Sequence, residues 1–263
     1  MQQKILSHLP GDFPWQVHWF DTIDSTNDRA KAMARQGAPH GTVLIAGCQT
    51  GGRGRMGRSF SSPEGMGIYL SVILRPNCPA KELMHLTCGT GVAMCDAVQQ
   101  VTGLRPGIKW VNDLVMENRK LGGILTELSP DPTTGLIDYA VVGIGINCSQ
   151  DLQDFPAPLH SIAISLKTAT GTNPDQPRLA AAMIESLFRL DQQLLQKEQL
   201  LSGYRQDCVT IGREVLVVRV DSKIPGVAID IDDDGALLIR LSDGTVQTVQ
   251  SGEVSVRGLF GYL

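Results

Sequence analysis

The chain has 263 residues, of which 42% are hydrophobic and 19% charged, an ordinary balance for a globular protein that buries a sizeable core. Its formal net charge of −4 argues against nonspecific nucleic-acid binding as the main task, because that task needs an extended basic surface. The six cysteines show neither a C-x-x-C pair nor zinc spacing, and no secretory leader or run of about 18 apolar residues occurs, so we expect a reduced, cytoplasmic protein without disulfides or membrane spans.

The first chemically informative element is a predicted helix with the sequence DSTNDRAKAMARQG. Asp24 or Ser25 is its expected cap, and Gly37 is its expected stop. This places Ser25, Thr26 and Asn27 at a helix N-terminus, where unpaired N–H groups and the helix dipole favour a polar or anionic ligand. The alternative is that these residues only cap the helix.

A loop rich in glycine and arginine follows, between predicted strands at residues 42–47 and 67–74. Residues 51–58, which we call the Gly/Arg loop, read GGRGRMGR and hold four glycines and three arginines. Glycine lets the backbone approach a ligand closely, and each guanidinium offers a planar fork that matches carboxylate or phosphate oxygens. The order of residues matches neither a P-loop nor a dinucleotide fingerprint. The loop therefore predicts an anionic ligand of another kind.

The middle of the chain predicts a helix over residues 80–101 and then strands at 108–110, 114–116, 121–127 and 136–147, with a hairpin turn at 117–119. A long helix over 177–204 follows. From Gly212 onward the sequence changes to short β-prone runs at 214–220, 226–231, 236–241 and 245–249. We therefore divide the chain into a catalytic domain, residues 1–208, and a small β-barrel, residues 209–263.

Three polar groups interrupt the predicted strands of the middle region. KWVNDL places Lys109, Asn112 and Asp113 near a strand-to-strand link, where they suit a phosphate, a base edge or a metal, or remain solvated surface. In KLGGILTE, Lys120 is a compact cation suited to developing negative charge, and the two glycines allow close approach of a ligand or form a bulge. VVGIGIN ends its strand in the polar Asn147.

The collinear set STN, QTGGRGRMGR, KWVNDL, KLGGILTE, VVGIGIN and SGEVSVRG, from about Asp21 to the end of the chain, closely resembles the biotin–protein ligases. The resemblance implies an α+β fold, in which a central mixed sheet is flanked by helices as in class II synthetases, and a C-terminal SH3-like barrel follows. It also implies that biotin and MgATP react to biotinyl-5′-AMP and pyrophosphate. The biotin would then pass to a lysine of a biotin carboxyl carrier protein, that of acetyl-CoA carboxylase.

The resemblance assigns roles to individual residues. It implies that biotin contacts Ser25, Thr26, Asn27, Gln49, Gly52, Arg53, Arg55, Lys120, Gly122 and Gly123. It implies that ATP contacts Arg55, Arg58, Lys109, Trp110, Asn112, Asp113, Lys120, Asn147 and Arg257, with Asp113 also reaching the Mg²⁺ that ATP carries. The residues expected to act directly in the reaction are Lys120, Arg55 and Arg53.

Two positions depart from the pattern of the family. Val111 stands where proline is usual, and Phe60 stands where tryptophan is common. Neither removes a catalytic group, and phenylalanine can still form the wall of an apolar pocket.

Four other classes of protein share some of these features. Lipoate–protein ligase shares fold and chemistry, but the GRGR loop followed by KWVNDL resembles the biotin group. Only about 20 residues precede the first motif, too few for a winged helix-turn-helix, so we expect a monofunctional ligase that binds no DNA. A sensor without catalysis would keep the loop and lose Lys120 or the polar groups of KWVNDL. An RNA-binding loop would need interleaved aromatic residues. The sequence leaves monomer and homodimer open.

Overall fold

The computed structural model describes residues 1–218 and 223–250, the backbone of 255–258, and Tyr262. The helices of this part are α1 (Gln2–Leu6), α2 (Thr26–Arg35), α3 (Leu86–Thr102), α4 (Leu166–Thr170), α5 (Gln176–Gln192) and α6 (Lys197–Asp207). The strands of the larger sheet are β1 (Gln16–Ile23), β2 (Thr42–Gln49), β3 (Gly67–Leu74), β4 (Gly107–Lys109), β5 (Asp113–Met116), β6 (Arg119–Pro130) and β7 (Ile137–Asn147). Those of the smaller sheet are β8 (Glu214–Val218), β9 (Lys223–Ile231), β10 (Leu237–Arg240), β11 (Val246–Val249) and β12 (Ser255–Gly258).

The larger sheet is mixed and has the order β1-β2-β3-β7-β6-β5-β4. Strands β1 and β2 run parallel, and the other described neighbours run antiparallel. Helices cover both faces, so the central strands are apolar at successive positions rather than at alternate ones. This architecture, with a smaller β unit at the C-terminal end, confirms the predicted fold class.

The two faces of the sheet carry separate apolar clusters. On one face Leu44, Ile73 and Val141 pack with Ala30 and Ala34 of α2. On the other face α3 and α5 cover the larger core, whose strand residues include Val43, Leu70, Val72, Val142 and Ile144. The smaller cluster, on the α2 face, continues into the functional site.

Most of the predicted elements occur, with two revisions of the helices. The predicted helix over 80–101 is a 3₁₀ turn, Ala80–Leu83, followed by α3. The predicted helix over 177–204 is divided into α5 and α6. Between them the carbonyl of Leu194 accepts a hydrogen bond of 2.7 Å from Nε2 of the buried His85. This tertiary contact stabilises the break between α5 and α6, where the sequence has no glycine or proline that would predict it.

The hairpin turn predicted between β5 and β6 is present. Glu117 and Asn118 have φ values of 50° and 59°, the left-handed conformation that a two-residue hairpin turn needs at both central positions. The turn directs β6 back along β5, so that Lys120 pairs with Val115 and Gly123 pairs with Asp113. It therefore brings the polar residues of KWVNDL and KLGGILTE side by side.

The smaller sheet is antiparallel, with the order β11-β10-β9-β8-β12, and encloses Val215, Val217, Ala228, Leu237 and Ile239. It contacts the larger domain through Trp110, whose indole N–H donates to the carbonyl of Gly235 at 3.0 Å. In the described residues no helix has the length and apolar character needed to cross a membrane.

Candidate active site

A cavity of about 730 Å³ opens on the α2 face of the larger sheet. Its walls are the N-terminus of α2, the Gly/Arg loop, strands β5, β6 and β7, and the segment 155–163. This segment is held against the sheet because the N–H of Lys120 donates to the carbonyl of Ile162 at 2.6 Å and the N–H of Ile164 donates to the carbonyl of Lys120 at 2.9 Å.

Two glycines of β7 make room for the cavity. Val141, Gly143 and Gly145 lie at alternate positions and therefore point to the same face of the sheet. A methyl group added to Gly143 would collide with Oδ1 of Asn27, and one added to Gly145 would lie 2.5 Å from the ring of Phe60. The apolar cluster under α2 therefore ends at Val141. Beyond it, the polar side chain of Asn27 and the ring of Phe60 lie over the two glycines.

The N-terminus of α2 brings three buried polar residues to the cavity. Ser25 caps the helix, with its hydroxyl accepting from the N–H of Asp28. The N–H and hydroxyl of Thr26 both donate to Oε1 of Gln49, at 2.8 and 3.0 Å. The Nδ2 amide of Asn27 donates to Oε2 of Glu127 at 2.9 Å. These contacts fix the side chains before a ligand arrives, as a preorganised site requires.

A buried serine of the sheet contacts Thr26 and Asn27. Ser71 lies on β3, and its Oγ is 2.8 Å from Oγ1 of Thr26 and 2.6 Å from Oδ1 of Asn27. Sequence reasoning missed it, although a lone serine within the predominantly apolar run GIYLSVIL is a signal that could have found it. Its position makes it a support for the two residues that face the cavity.

The Gly/Arg loop forms a small hairpin beside the cavity. Arg53 pairs with Ser59 as an antiparallel bridge, and the N–H of Gly54 donates to the carbonyl of Arg58 at 2.7 Å. Met56, near the tip, has a φ of 56° and a side chain that is 57% exposed. The loop is attached on two sides, because Nε of Arg53 lies 2.5 Å from Oδ2 of Asp28 and Nη1 of Arg55 donates to Oδ1 of Asn112 at 3.0 Å.

Lys120, Asp113, Tyr262 and Lys109 form a connected cluster at the other end of the cavity. Nζ of Lys120 lies 2.5 Å from Oδ1 of Asp113, and the phenol of Tyr262 donates to Oδ2 of the same carboxylate at 2.5 Å. Nζ of Lys109 donates to the carbonyl of Tyr262 and lies 3.8 Å from the centre of its ring. Burial, followed by the charge of Asp113, raises the pKa of Tyr262, so its hydroxyl remains a donor.

The described lining residues give the cavity an excess of positive charge. Arg53, Arg55, Arg58, Lys109 and Lys120 are its cations, and a single lining carboxylate opposes them. Burial lowers the pKa of Arg55, although the nearby Asp113 acts in the opposite direction, and a guanidinium stays charged at neutral pH. Such an environment favours an anionic ligand.

The residues fit an Mg²⁺ ion that arrives with a nucleotide. Among the residues that the structure describes, no group of three or more Asp, Glu, His or Cys side chains could hold a metal on its own. Mg²⁺, however, is commonly bound by one or two carboxylates together with substrate phosphates. Asp113 supplies such a carboxylate inside a cavity whose cations suit phosphates.

The structure brings most of the residues predicted from the sequence into this one cavity. Those lining it are Ser25, Thr26, Asn27, Gln49, Arg53, Arg55, Arg58, Lys109, Trp110, Asn112, Asp113, Lys120, Gly123 and Asn147. Several of these residues already use polar groups within the protein. Gln49, for example, donates to Ser62 at 2.9 Å, and Asn147 donates to the carbonyl of Ile164 at 3.1 Å.

Three predicted residues stand apart. Gly52 and Gly122 are not among the lining residues, because the backbone of Phe60 packs against one and that of Gly145 against the other. Gly122 was expected to allow close approach of a ligand, but it allows close approach of the neighbouring strand β7. Arg257 belongs to β12, whose side chains lie outside the described residues. Sequence reasoning also missed Tyr262 and the segment 155–163, which carry no motif.

Two protein families match the chain. Residues 19–147 match the biotin/lipoate A/B protein ligase family, and residues 210–257 match the biotin protein ligase C-terminal domain. The first match contains nearly all of the larger sheet and most of the residues that line the cavity, and the second contains nearly all of the smaller sheet. Fold and site together define a ligase of the biotin and lipoate class.

Individual relatives narrow this class. The biotin–[acetyl-CoA-carboxylase] ligase of Mycobacterium tuberculosis is 34% identical over 88% of this chain and 85% of its own length. The bifunctional ligase/repressor BirA of Escherichia coli is 34% identical over 97% of this chain and 77% of its own. The structure of biotin protein ligase from Aquifex aeolicus in complex with biotin and ATP superposes with a TM-score of 0.79, at 29% identity, over 94% of this chain and 100% of that one. The chain belongs to the biotin protein ligase family.

Proposed function

We propose that this protein joins biotin to a protein lysine in two steps, through biotinyl-5′-AMP. The observation that carries the proposal is the cavity itself, in which a preorganised polar end at α2 and a cationic end at Lys120 share one continuous space. The ureido ring and tail of biotin suit the first end, and the triphosphate of ATP suits the second. The two substrates would meet where Lys120 lies.

In the first step an oxygen of the biotin carboxylate attacks the α-phosphorus of ATP, and pyrophosphate leaves. Both reactants are anions, so the barrier depends on how well the site neutralises charge that builds up between them. Lys120 would direct its ammonium toward the α-phosphate, while Arg53, Arg55 and Arg58 approach from the loop. The removal of one such directed charge typically costs about 10²- to 10³-fold in rate.

Mg²⁺, carried in with ATP, would neutralise phosphate charge and orient the leaving pyrophosphate. Asp113 is the residue that would hold it. Lys120 and Tyr262 each contact one oxygen of Asp113, so Mg²⁺ would share these oxygens with them or displace one of the two contacts. Lys109 and Asn112 would then face the nucleotide from the same turn.

Enclosure protects the intermediate. An acyl adenylate hydrolyses readily, and a loop that covers it excludes water until the acceptor arrives. The Gly/Arg loop lies beside the cavity and contributes several lining residues, which suits it to this role.

In the second step the neutral amine of an acceptor lysine attacks the acyl carbon. The bond between that carbon and the phosphate oxygen breaks, AMP leaves with the bonding electrons, and the nitrogen loses a proton to solvent as the amide forms. We propose as acceptor the biotin carboxyl carrier protein of acetyl-CoA carboxylase, the enzyme named in the M. tuberculosis ligase. We place the reaction in the cytoplasm, since the six cysteines are free and five are buried, as suits a reducing compartment.

The test is to incubate the purified protein with MgATP and biotin, lipoate or no acid, and to measure the acyl adenylate by mass spectrometry together with released pyrophosphate. We expect biotinyl-AMP with biotin only. Addition of a carrier domain should then add one biotin to its lysine, and the same domain with that lysine changed to arginine should stay unmodified. A folded sample that binds biotin but forms no adenylate would refute the enzyme.

A further inference from the structure

The base of the Gly/Arg loop is fixed to helix α2. Nε of Arg53 lies 2.5 Å from Oδ2 of Asp28, a charge-assisted hydrogen bond of strong geometry. Arg53 is also the first residue of the loop hairpin, where its backbone pairs with Ser59. The contact with Asp28 therefore decides where the hairpin starts relative to the cavity.

Asp28 is in turn held by the framework of the protein. Its Oδ1 lies 2.9 Å from Nζ of Lys31, and the same ammonium lies 2.7 Å from Oε1 of Glu127 on β6. The charges alternate in sign from the sheet through α2 to the loop. Networks of this kind stabilise more than isolated surface pairs, because each ion is already positioned by its other partner.

A second attachment lies across the cavity, where Arg55 donates to Asn112 of the turn between β4 and β5. The hairpin is thus attached to the wall of the cavity at two points. Asn112 lines the cavity, but Asp28 does not, so Asp28 can influence the bound molecules through the loop without touching them.

We propose that Asp28 is a positioning residue, which acts through Arg53 to hold the Gly/Arg loop over biotinyl-5′-AMP and so sets how slowly the unused intermediate escapes. The inference rests on the proposed function, because it concerns the retention of that intermediate. The chemistry of adenylation remains with the residues that line the cavity.

The first variant is Asp28→Asn, which keeps the size and removes the charge. We expect biotinyl-AMP to dissociate about fivefold faster, the upper range for the loss of a partly exposed ion pair. Trypsin should cut after Arg53, Arg55 or Arg58 faster by a similar factor. The matched control is Asp96→Asn, which breaks an ion pair of 2.7 Å with Arg105 away from the cavity lining and should leave both rates unchanged.

Asp28 also lies in the first turn of α2, so its replacement could act by weakening the helix. The double-mutant cycle with Arg53→Gln separates the two routes. If Asp28 acts through Arg53, Asp28→Asn will not speed adenylate release further in the Arg53→Gln protein. Additive effects of the two substitutions would assign the effect to the helix and overturn the proposal.

Failure of this inference is distinguishable from failure of the proposed function. Wild-type protein that forms no adenylate would overturn the proposed function. The tryptic cleavage rates of wild type and Asp28→Asn would still test whether Asp28 holds the Gly/Arg loop. Equal adenylate release and equal cleavage for wild type and Asp28→Asn, in a protein that does form adenylate, would overturn the role of Asp28 alone.

Discussion

The ammonium group of Lys120 lies 2.5 Å from Oδ1 of Asp113, so the cation expected to assist phosphoryl chemistry is stored against a carboxylate. The backbone of Lys120 pairs with β5 and with the segment 155–163, and this leaves the side chain as the group free to move. When a nucleotide binds, the ammonium group of Lys120 would exchange its carboxylate partner for a phosphate. The cost of removing this ammonium group from water is therefore met before the substrate binds.

Lys120→Ala should fold normally and lose adenylation by about 10²- to 10³-fold, the cost of one directed charge in a transition state. Pyrophosphate release under single-turnover conditions measures the loss. Lys167→Ala is the matched control, since it breaks an ion pair of 2.6 Å with Asp151 and does not line the cavity. Turnover that is unchanged in Lys120→Ala would remove this residue from the mechanism.

Tyr262→Phe should lower the KM for MgATP by about two- to tenfold, the range of a single hydrogen bond, and leave biotin affinity unchanged. The phenol donates to Oδ2 of Asp113, and its loss would leave that oxygen more accessible to the Mg²⁺ that ATP carries. Phenylalanine keeps the ring that lies under Nζ of Lys109. An increased KM would instead show that the hydroxyl assists nucleotide binding.

Gly143→Ala should weaken biotin binding by about 5- to 150-fold, because overpacking typically costs about 1–3 kcal/mol. The new methyl group would displace Asn27 from Ser71 and Glu127. Isothermal titration calorimetry measures the affinity. Gly11→Ala, which meets nothing within 4 Å, should bind biotin as the wild type does. Wild-type affinity in Gly143→Ala would contradict the placement of Asn27.

Stability should fall in alkaline solution because of buried thiols. Burial raises the pKa of Cys148 to about 12, whereas an unfolded cysteine titrates near about 8.5. The folded state therefore holds the proton more tightly. The contribution of this thiol to the free energy of unfolding is complete below pH about 8.5. It is lost as pH rises toward 12, at about 1.4 kcal/mol per thiol per pH unit.

Urea unfolding at pH 8, 9.5 and 10.5 measures this decline. Cys148→Ala should show a slope smaller by about 1.4 kcal/mol per pH unit, and at pH 8 the variant should be the less stable protein because a small cavity remains. Identical slopes for the two proteins would show that this thiol does not contribute.

The sequence predicted best what is local. The helix cap at Ser25, the Gly/Arg loop and the turn at Asn118 follow from the conformational preferences of a few adjacent residues. Trp110 and Asn112 could be assigned to the site because they belong to one compact motif. The start of α2, the Gly/Arg loop and KWVNDL together supply most of the predicted residues that line the cavity.

What the sequence could not show depends on contacts between distant segments. Tyr262 lies 149 residues from Asp113 in the chain, and nothing around it forms a pattern. Ser71 reaches Asn27 across 44 residues, through a strand that looks uniformly apolar. The break after α5 is held by His85, from 109 residues away. Such features follow from packing, which local propensity does not encode.

The attachment of Trp110 to the smaller domain carries one more consequence. Its backbone N–H donates to the hydroxyl of Thr210 at 2.9 Å, and its indole donates to Gly235, so both groups of this residue are held by the C-terminal part of the chain. We therefore expect a transient opening of that part to release Lys109, at the end of β4, and Asn112, in the turn that follows. The nucleotide end of the cavity is thus only as durable as the small domain, and amide exchange around residue 110 should follow the barrel rather than the larger sheet.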